Sequence, residues 1–193
     1  MAVKEIEVQA TANDMNTKVI ELETIVYHDD PMVSDHVVHG TRVLPGVFLL
    51  DLVLRMTDNV IDLRVEKSLE HVVFFQPVVT TEEYNRHVRV SFTPMGQNWS
   101  VRITSRRLGK AGVLVGGEEL HAECLYPVGP VAPCAPIDIR RKQLEAYCVR
   151  DIDEVYAIAR ACDIQHFEFM KTLGKVFVGE DYLVAELGLS EAA

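Results

Sequence analysis

The sequence predicts an α+β protein in which antiparallel strands are laid around one buried helix. Three observations carry this expectation. The segments Tyr84 to Phe92, Trp99 to Ser105 and Val113 to Leu125 alternate apolar and polar side chains with period two. Two turn-forming runs, Pro94-Met95-Gly96-Gln97-Asn98 and Leu108-Gly109-Lys110-Ala111-Gly112, separate them as hairpin connections would. Upstream, Pro45-Gly46 opens a segment that is apolar through Leu54 except for Asp51. A helix apolar all round is a buried one.

The elements follow in order. The first seventeen residues are polar and without period, and read as an N-terminal arm over 1–17. Val19 to Tyr27 alternates as a strand, and His28-Asp29-Asp30-Pro31 makes a turn. The stretch from Asp35 to Leu44 holds His36, His39 and Arg42 among β-branched residues and reads as extended chain. Proline suits the first turn of a helix, where its missing N–H has no intrahelical partner, so a short central helix starts at Pro45-Gly46. Leu63 to Val79 reads as one or two strands with Pro77 at an edge or bend. The three alternating segments place Val88, Val90, Phe92, Trp99, Val101, Ile103, Leu120, Ala122 and Cys124 inward, and His87, Glu119, His121 and Glu123 toward water. Pro127 to Pro136, with four prolines, reads as a linker. Ile139 to Tyr147 and Ile152 to Ala161 have helical spacing, the second with Val155, Ile158 and Ala159 on one side. Lys175 to Leu189 is strand-like, broken at Gly179-Glu180-Asp181.

Composition narrows the function classes. A net charge of -10 over 193 residues argues against a nucleic-acid-binding surface, which needs basic stripes. The four cysteines, Cys124, Cys134, Cys148 and Cys162, have no Cys-x-x-Cys spacing and suggest no zinc site. With no signal-peptide pattern after Met1 and no long apolar span, the expected location is the cytoplasm, with reduced thiols.

The chemistry concentrates between Asp35 and Arg55. A helix beginning at Gly46 offers free backbone N–H groups and the positive end of its dipole. An imidazole at His36 beside such an N-terminus joins a base to an oxyanion site, as enolate chemistry on a thioester requires. Close His and carboxylate spacing at His28, Asp29, Asp30, Asp35, His36 and His39 also admits a metal reading, though a loop-to-strand segment does not fix their directions. His36 itself reads alternatively as a buried histidine bonded to backbone, and Gly40 and Gly46 as ordinary turn glycines.

His36, Gly40 and Pro45 fit the His-x-x-x-Gly-x-x-x-x-Pro pattern, and with Asp35-His36-Val37-Val38 and Leu44-Pro45-Gly46 the chain resembles the dehydratase domains of modular polyketide synthases. The resemblance implies a double-hotdog fold, each hotdog an antiparallel sheet wrapped round a central helix. It runs from about Val19 through Leu189 and divides the chain into the arm, a first hotdog over 18–126, a Pro-rich linker over 127–137 and a partial second hotdog over 138–193.

The activity it implies is elimination of water from a β-hydroxyacyl thioester carried on an acyl carrier protein. In that scheme His36 is the base, Gly40, Pro45 and Gly46 bind the thioester, and no metal or redox cofactor is called for. Two departures stand out. His166-Phe167-Glu168 replaces the family's Tyr-Gly-Pro, so His166 either stands in for the tyrosine as a hydrogen-bonding group or marks a degenerate position. The family's acid, an Asp on the second central helix, has no counterpart here, which points to another chain or a homodimer partner as its source.

Asp51 is the alternative acid. It sits six residues after Pro45, at the spacing of the acid in single-hotdog fatty-acid dehydratases, and otherwise reads as a buried Asp bonded within its helix. His121 looks structural. Other readings of the chain are a non-catalytic scaffold or docking piece of a synthase assembly, and a double-bond isomerase on the same site.

Overall fold

The computed structural model of the chain describes residues 19–60, 68–127 and 135–189. The expected arm, and most of the expected linker, lie outside them. In chain order the elements are β1 (Ile20–Val26), α1 (Pro31–Ser34), β2 (His36–Val38), β3 (Thr41–Leu44), α2 (Gly46–Val60), β4 (Glu70–Phe74) and β5 (Val78–Val79). There follow β6 (Tyr84–Met95), β7 (Asn98–Gly109), β8 (Leu114–Pro127), α3 (Ile139–Glu145), β9 (Cys148–Asp151) and α4 (Ile152–Ala161). Last come β10 (Ile164–His166), a 3-10 turn (Glu168–Met170), β11 (Thr172–Val178) and β12 (Leu183–Leu189). Among the described residues, no helix is long and apolar enough to cross a membrane.

The chain divides into two compact units. One comprises the chain to Asp30 with Val43–Ala132, the other Pro31–Arg42 with Pro133–Ala193. Pro31–Arg42, which carries His36, therefore clusters with the C-terminal part of the chain.

The first unit is built on a five-stranded antiparallel sheet in the order β1-β6-β7-β8-β4. Period-two alternation buries Val88, Val90, Phe92, Trp99, Val101, Ile103, Ala122 and Cys124 on one face. The β6–β7 hairpin closes through Gly96-Gln97, and Gly96 sits at φ 65°, which a glycine adopts without a Cβ clash. Helix α2 adds Leu49, Leu52, Val53 and Met56 to the core. It runs six residues beyond the expected end at Leu54 and is not apolar all round. Val47, 72% exposed, and the Asp51–Arg55 ion pair (2.6 Å, side chains 41% and 73% exposed) form an outer stripe at i, i+4 spacing. Asp51 is bonded within its helix as the sequence suggested, but to Arg55 one turn further on, which draws it toward solvent, so that it is not buried.

His121 also departs from expectation. Strict alternation puts it on the wet face, yet it is fully buried. The register between β7 and β8 shifts there: Ile103 pairs with Ala122 and Thr104 with Leu120, so His121 is an extra residue in a bulge. The bulge turns it into a hydrogen-bonded line. His121 Nδ1–H donates to the Gln76 carbonyl (3.0 Å), which leaves Nε2 to accept from the Ser105 hydroxyl (2.7 Å). Ser105 Oγ accepts in turn from Arg86 (3.5 Å), whose guanidinium also donates to Val79 O (2.7 Å) and pairs with Glu119 (2.8 Å). Burial, which outweighs the hydrogen bond to Gln76, holds the His121 imidazole below its usual value of 6.5.

The second unit contains a three-stranded antiparallel sheet, β12-β11-β9, and a short antiparallel ladder of β10 with β2. Helix α4 has a capping box: the Asp151 side chain accepts from the helix's first-turn amides while Glu154 reaches back to the Asp151 N–H. Its inward face is Ile152, buried, with Tyr156 and Ala159 half-buried. Val155 and Ile158, which the spacing sets on one side with Ala159, are exposed, because the buried line runs through Ile152, Tyr156 and Ala159 at i, i+4, i+7.

The burial of neutral His121 gives a pH signature. An unfolded His121 titrates near 6.5 and the folded one lower, so below that value the unfolded chain binds more protons. The stability it contributes is complete above about pH 6.5 and is lost as pH falls toward the folded value. Urea unfolding at pH 7.5 and 5.5 should show a smaller drop in His121→Gln than in the parent.

Candidate active site

Residues Asp35 to Arg42 form a tight hairpin rather than one extended run. Strands β2 and β3 pair through Val37 with Arg42 and Val38 with Thr41, and His39-Gly40 make the two-residue turn. Both turn residues have positive φ, 49° and 72°, as a type I′ turn requires. Gly40 meets that demand freely. His39 is held to it by its N–H donating to Asp163 O (2.9 Å) and its ring pairing with the Asp163 carboxylate (3.2 Å).

Strand β10 lies antiparallel on the other edge of β2, with Ile164 opposite Val38, Gln165 opposite Val37 and His166 opposite His36. Directly opposed residues point to the same face. Accordingly the two imidazoles stand 5.3 Å apart between ring centres, tilted by 53°. Behind His166, the Tyr156 ring of α4 lies at 5.3 Å. Its hydroxyl accepts from Thr172 N (2.8 Å) and lies 3.1 Å from Thr172 Oγ1. Asp35 fastens the segment after His166: its carbonyl accepts from Phe167 N (2.9 Å) and its carboxylate from Phe169 N (2.8 Å).

The His166 ring is half-buried, and its Nδ1 is enclosed without a hydrogen-bond partner. Burial first, and the His36 ring second, keep its imidazole below the usual histidine value.

Of the residues marked in the sequence, His36, Gly40 and His166 belong to this one unit. Pro45, buried, and Gly46 open helix α2 in the other unit, where Phe48 N donates to Pro45 O (3.0 Å). Gly46 is small for a local reason: a Cβ there would stand 3.2 Å from the Phe74 ring. Asp51 lies on the outer stripe of α2 with Arg55. Among the described residues, no three His, Cys, Asp or Glu side chains converge as metal ligands. Sequence reasoning missed Tyr156 and the clamp by Asp35. The i, i+4, i+7 line through Ile152 was the available signal for Tyr156.

Comparison with known proteins decides the family. The polyketide synthase dehydratase domain matches residues 5–106. The chain belongs to that family. It is 35% identical to an N-terminal dehydratase from the difficidin assembly line, with a TM-score of 0.84 over 91% of this chain and 61% of that one. A monomeric dehydratase domain from a trans-AT polyketide synthase split module shares the fold at 21% identity, TM-score 0.79, with 90% and 64% covered. In Bacillus subtilis (strain 168), polyketide synthase PksM is 22% identical over 176 residues, 86% of this chain and 4% of PksM. The chain thus spans under two thirds of the dehydratase structures and a small fraction of the synthases it matches. The fold is the hotdog of the dehydratases, with the first unit supplying its sheet and helix.

The Asp35 clamp can be probed directly. Replacing Asp35 with alanine removes the acceptor for Phe169 N–H, an exposed charge-assisted bond worth about 1 kcal/mol. Amide exchange at Phe169 should quicken by roughly fivefold, with exchange in the β6–β7 ladder unchanged.

Proposed function

We propose that this chain takes part in dehydrating a β-hydroxyacyl thioester, with His36 as the base that removes the α-proton. The observation that carries the reading is the position of His36. It begins the His-x-x-x-Gly-x-x-x-x-Pro pattern of a dehydratase-family chain and faces a second imidazole across a paired strand. A neutral imidazole accepts a proton near physiological pH, so it suits abstraction from the carbon beside a thioester carbonyl. The pattern extends to Gly40, whose small side chain leaves backbone open to an acyl thioester. The acyl group would arrive on the phosphopantetheine of an acyl carrier protein, which leaves this chain no cofactor of its own to hold.

Hydroxide is a poor leaving group, so elimination also needs a proton donor. The reading assigns that role to an aspartate on a second polypeptide. The need for two groups has a parallel in the CurK dehydratase, which shares the fold at 16–17% identity. There a His-to-Phe variant and an Asp-to-Asn variant are each described as inactive. Asp51 is the lesser candidate, since its carboxylate is already neutralised by Arg55 at 2.6 Å.

In an active preparation, His36→Ala should lower dehydration of a β-hydroxyacyl thioester by about 10²–10⁴-fold while circular dichroism is unchanged. A variant within a few-fold of the parent would remove His36 from the role.

The source of the acid is read by adding partners. Activity of the chain should rise when the product of the adjacent reading frame is supplied. Full activity of a homodimer, lost in Asp51→Asn, would instead assign the acid to Asp51.

A further inference from the structure

The β6–β7 ladder sets two arginines face to face. Arg86 and Arg107 are directly opposed partners, and opposed residues share a face of the sheet. It is the core face, since the next opposed pairs along it, Val88 with Ser105 and Val90 with Ile103, are all buried. Like charges set opposite each other repel, and one carboxylate serves both. Glu119 lies 2.8 Å from Arg86 Nη1 and 3.7 Å from Arg107 Nε. Two cations within reach of one anion leave one positive charge over.

Arg86 is only 6% exposed, so water does little to hydrate its share of that charge. Its Nε–H donates to Val79 O, and Nη1 to Ser105 and Glu119. Nη2 makes no hydrogen bond among the described residues. No nitrogen of Arg86 is both enclosed and unpartnered, so Nη2 is open to the cleft that the residue lines. That cleft has a volume of about 710 Å³, within the range of small-molecule sites. Pro77, Val79 and Tyr84 give it an apolar wall, and Arg107 and Glu119 line it with Arg86. All of these residues belong to the first unit, whereas His36 and His166 belong to the second.

We propose that this cleft is a binding site for a small organic monocarboxylate, held between the Arg86 Nη2 and Arg107 guanidinium donors with its hydrocarbon part against Pro77, Val79 and Tyr84. Nothing in it depends on the reading of His36 as a base. Charge and shape fix the class. A carboxylate presents two coplanar oxygens to a guanidinium and is held more strongly than a neutral acceptor. One negative charge completes the neutralisation of Arg86 and Arg107 beside Glu119. A dianion overshoots it, and Glu82 and Glu83, exposed on the lining, oppose the excess. An inorganic ion would leave the apolar wall bare. The donor is also preorganised: Val79 O, Ser105 and Glu119 hold the Arg86 guanidinium, so little rotamer freedom is lost when the anion arrives.

Titration of the whole chain with sodium hexanoate, followed by nitrogen–proton NMR, tests the site. Hexanoate should move the Arg86 and Arg107 Nε–H signals and the Tyr84 amide saturably at millimolar concentration, and leave the β12 amides in place. Hexanamide, of the same shape without the charge, should bind about tenfold more weakly, the value of one hydrogen bond to a charged group. Arg107→Gln, at an exposed side chain, should lose a similar factor for hexanoate with circular dichroism unchanged, and Arg107→Lys should restore part of it. Inorganic phosphate should bind more weakly than hexanoate. Arginine signals that hexanoate leaves unmoved, hexanamide binding as tightly as hexanoate, or full hexanoate affinity in Arg107→Gln overturns the site. Phosphate binding more tightly than hexanoate overturns the monocarboxylate class.

Discussion

The site depends on one short antiparallel pairing, that of β2 with β10. Three residue pairs join segments from opposite ends of the chain, and one of the three sets His166 against His36. A ladder so short contributes little on its own, and closing a long loop to make it costs entropy. The surrounding contacts offset that cost. His39 and Asp163 close one end through a backbone bond and an ion pair, and the Asp35 carbonyl and carboxylate close the other at Phe167 and Phe169. Because the side-chain period of a strand is two, a slip of one residue would turn His166 to the opposite face. Register therefore decides which side chain faces His36, and the residues flanking the histidines enforce it.

The unit built on the five-stranded sheet shows a second constraint, that a buried polar side chain must be bonded. Arg86, Ser105 and His121 are all buried, and each finds partners in one line ending at Gln76 and Val79 carbonyls. That line reaches from β6 across β7 and β8 to the β4–β5 connection. It fixes a turn that apolar packing alone would leave loosely specified. His121 and His36 are thus both histidines of strand segments with different work: one is sealed in a hydrogen-bonded core, the other lies half-buried beside a second ring.

Much of the fold was legible because it is periodic. Val88, Val90, Phe92, Val101 and Ile103 announce their strands by alternation, and Gly96 and Gly112 mark the turns. Antiparallel strands around one helix followed from that alternation with the Pro45-Gly46 helix start, and the hotdog and the family from the resemblance carried by His36, Gly40 and Pro45. What was hidden depends on contacts that no local pattern records. A bulge moves His121 indoors, and alternation has no symbol for an extra residue. The outer stripe of α2 needed Arg55 to be weighed with Asp51 and Val47. The inward face of α4 could not be read from Val155, Ile158 and Ala159, since apolar residues on both sides of a short helix leave its orientation to tertiary packing. The His36–His166 pair was unreadable for a similar reason: two three-residue strands carry too few side chains to declare who pairs with whom.

The central claim is that His36 takes the α-proton, and the fate of that proton is the most direct test. A β-hydroxyacyl pantetheine thioester deuterated at the α-carbon would be incubated with an active preparation containing the chain, and loss of label to water followed by mass spectrometry. The account predicts that label release accompanies elimination in the parent and falls to the uncatalysed level in His36→Ala. Label release from His36→Ala at the parent's rate would contradict it.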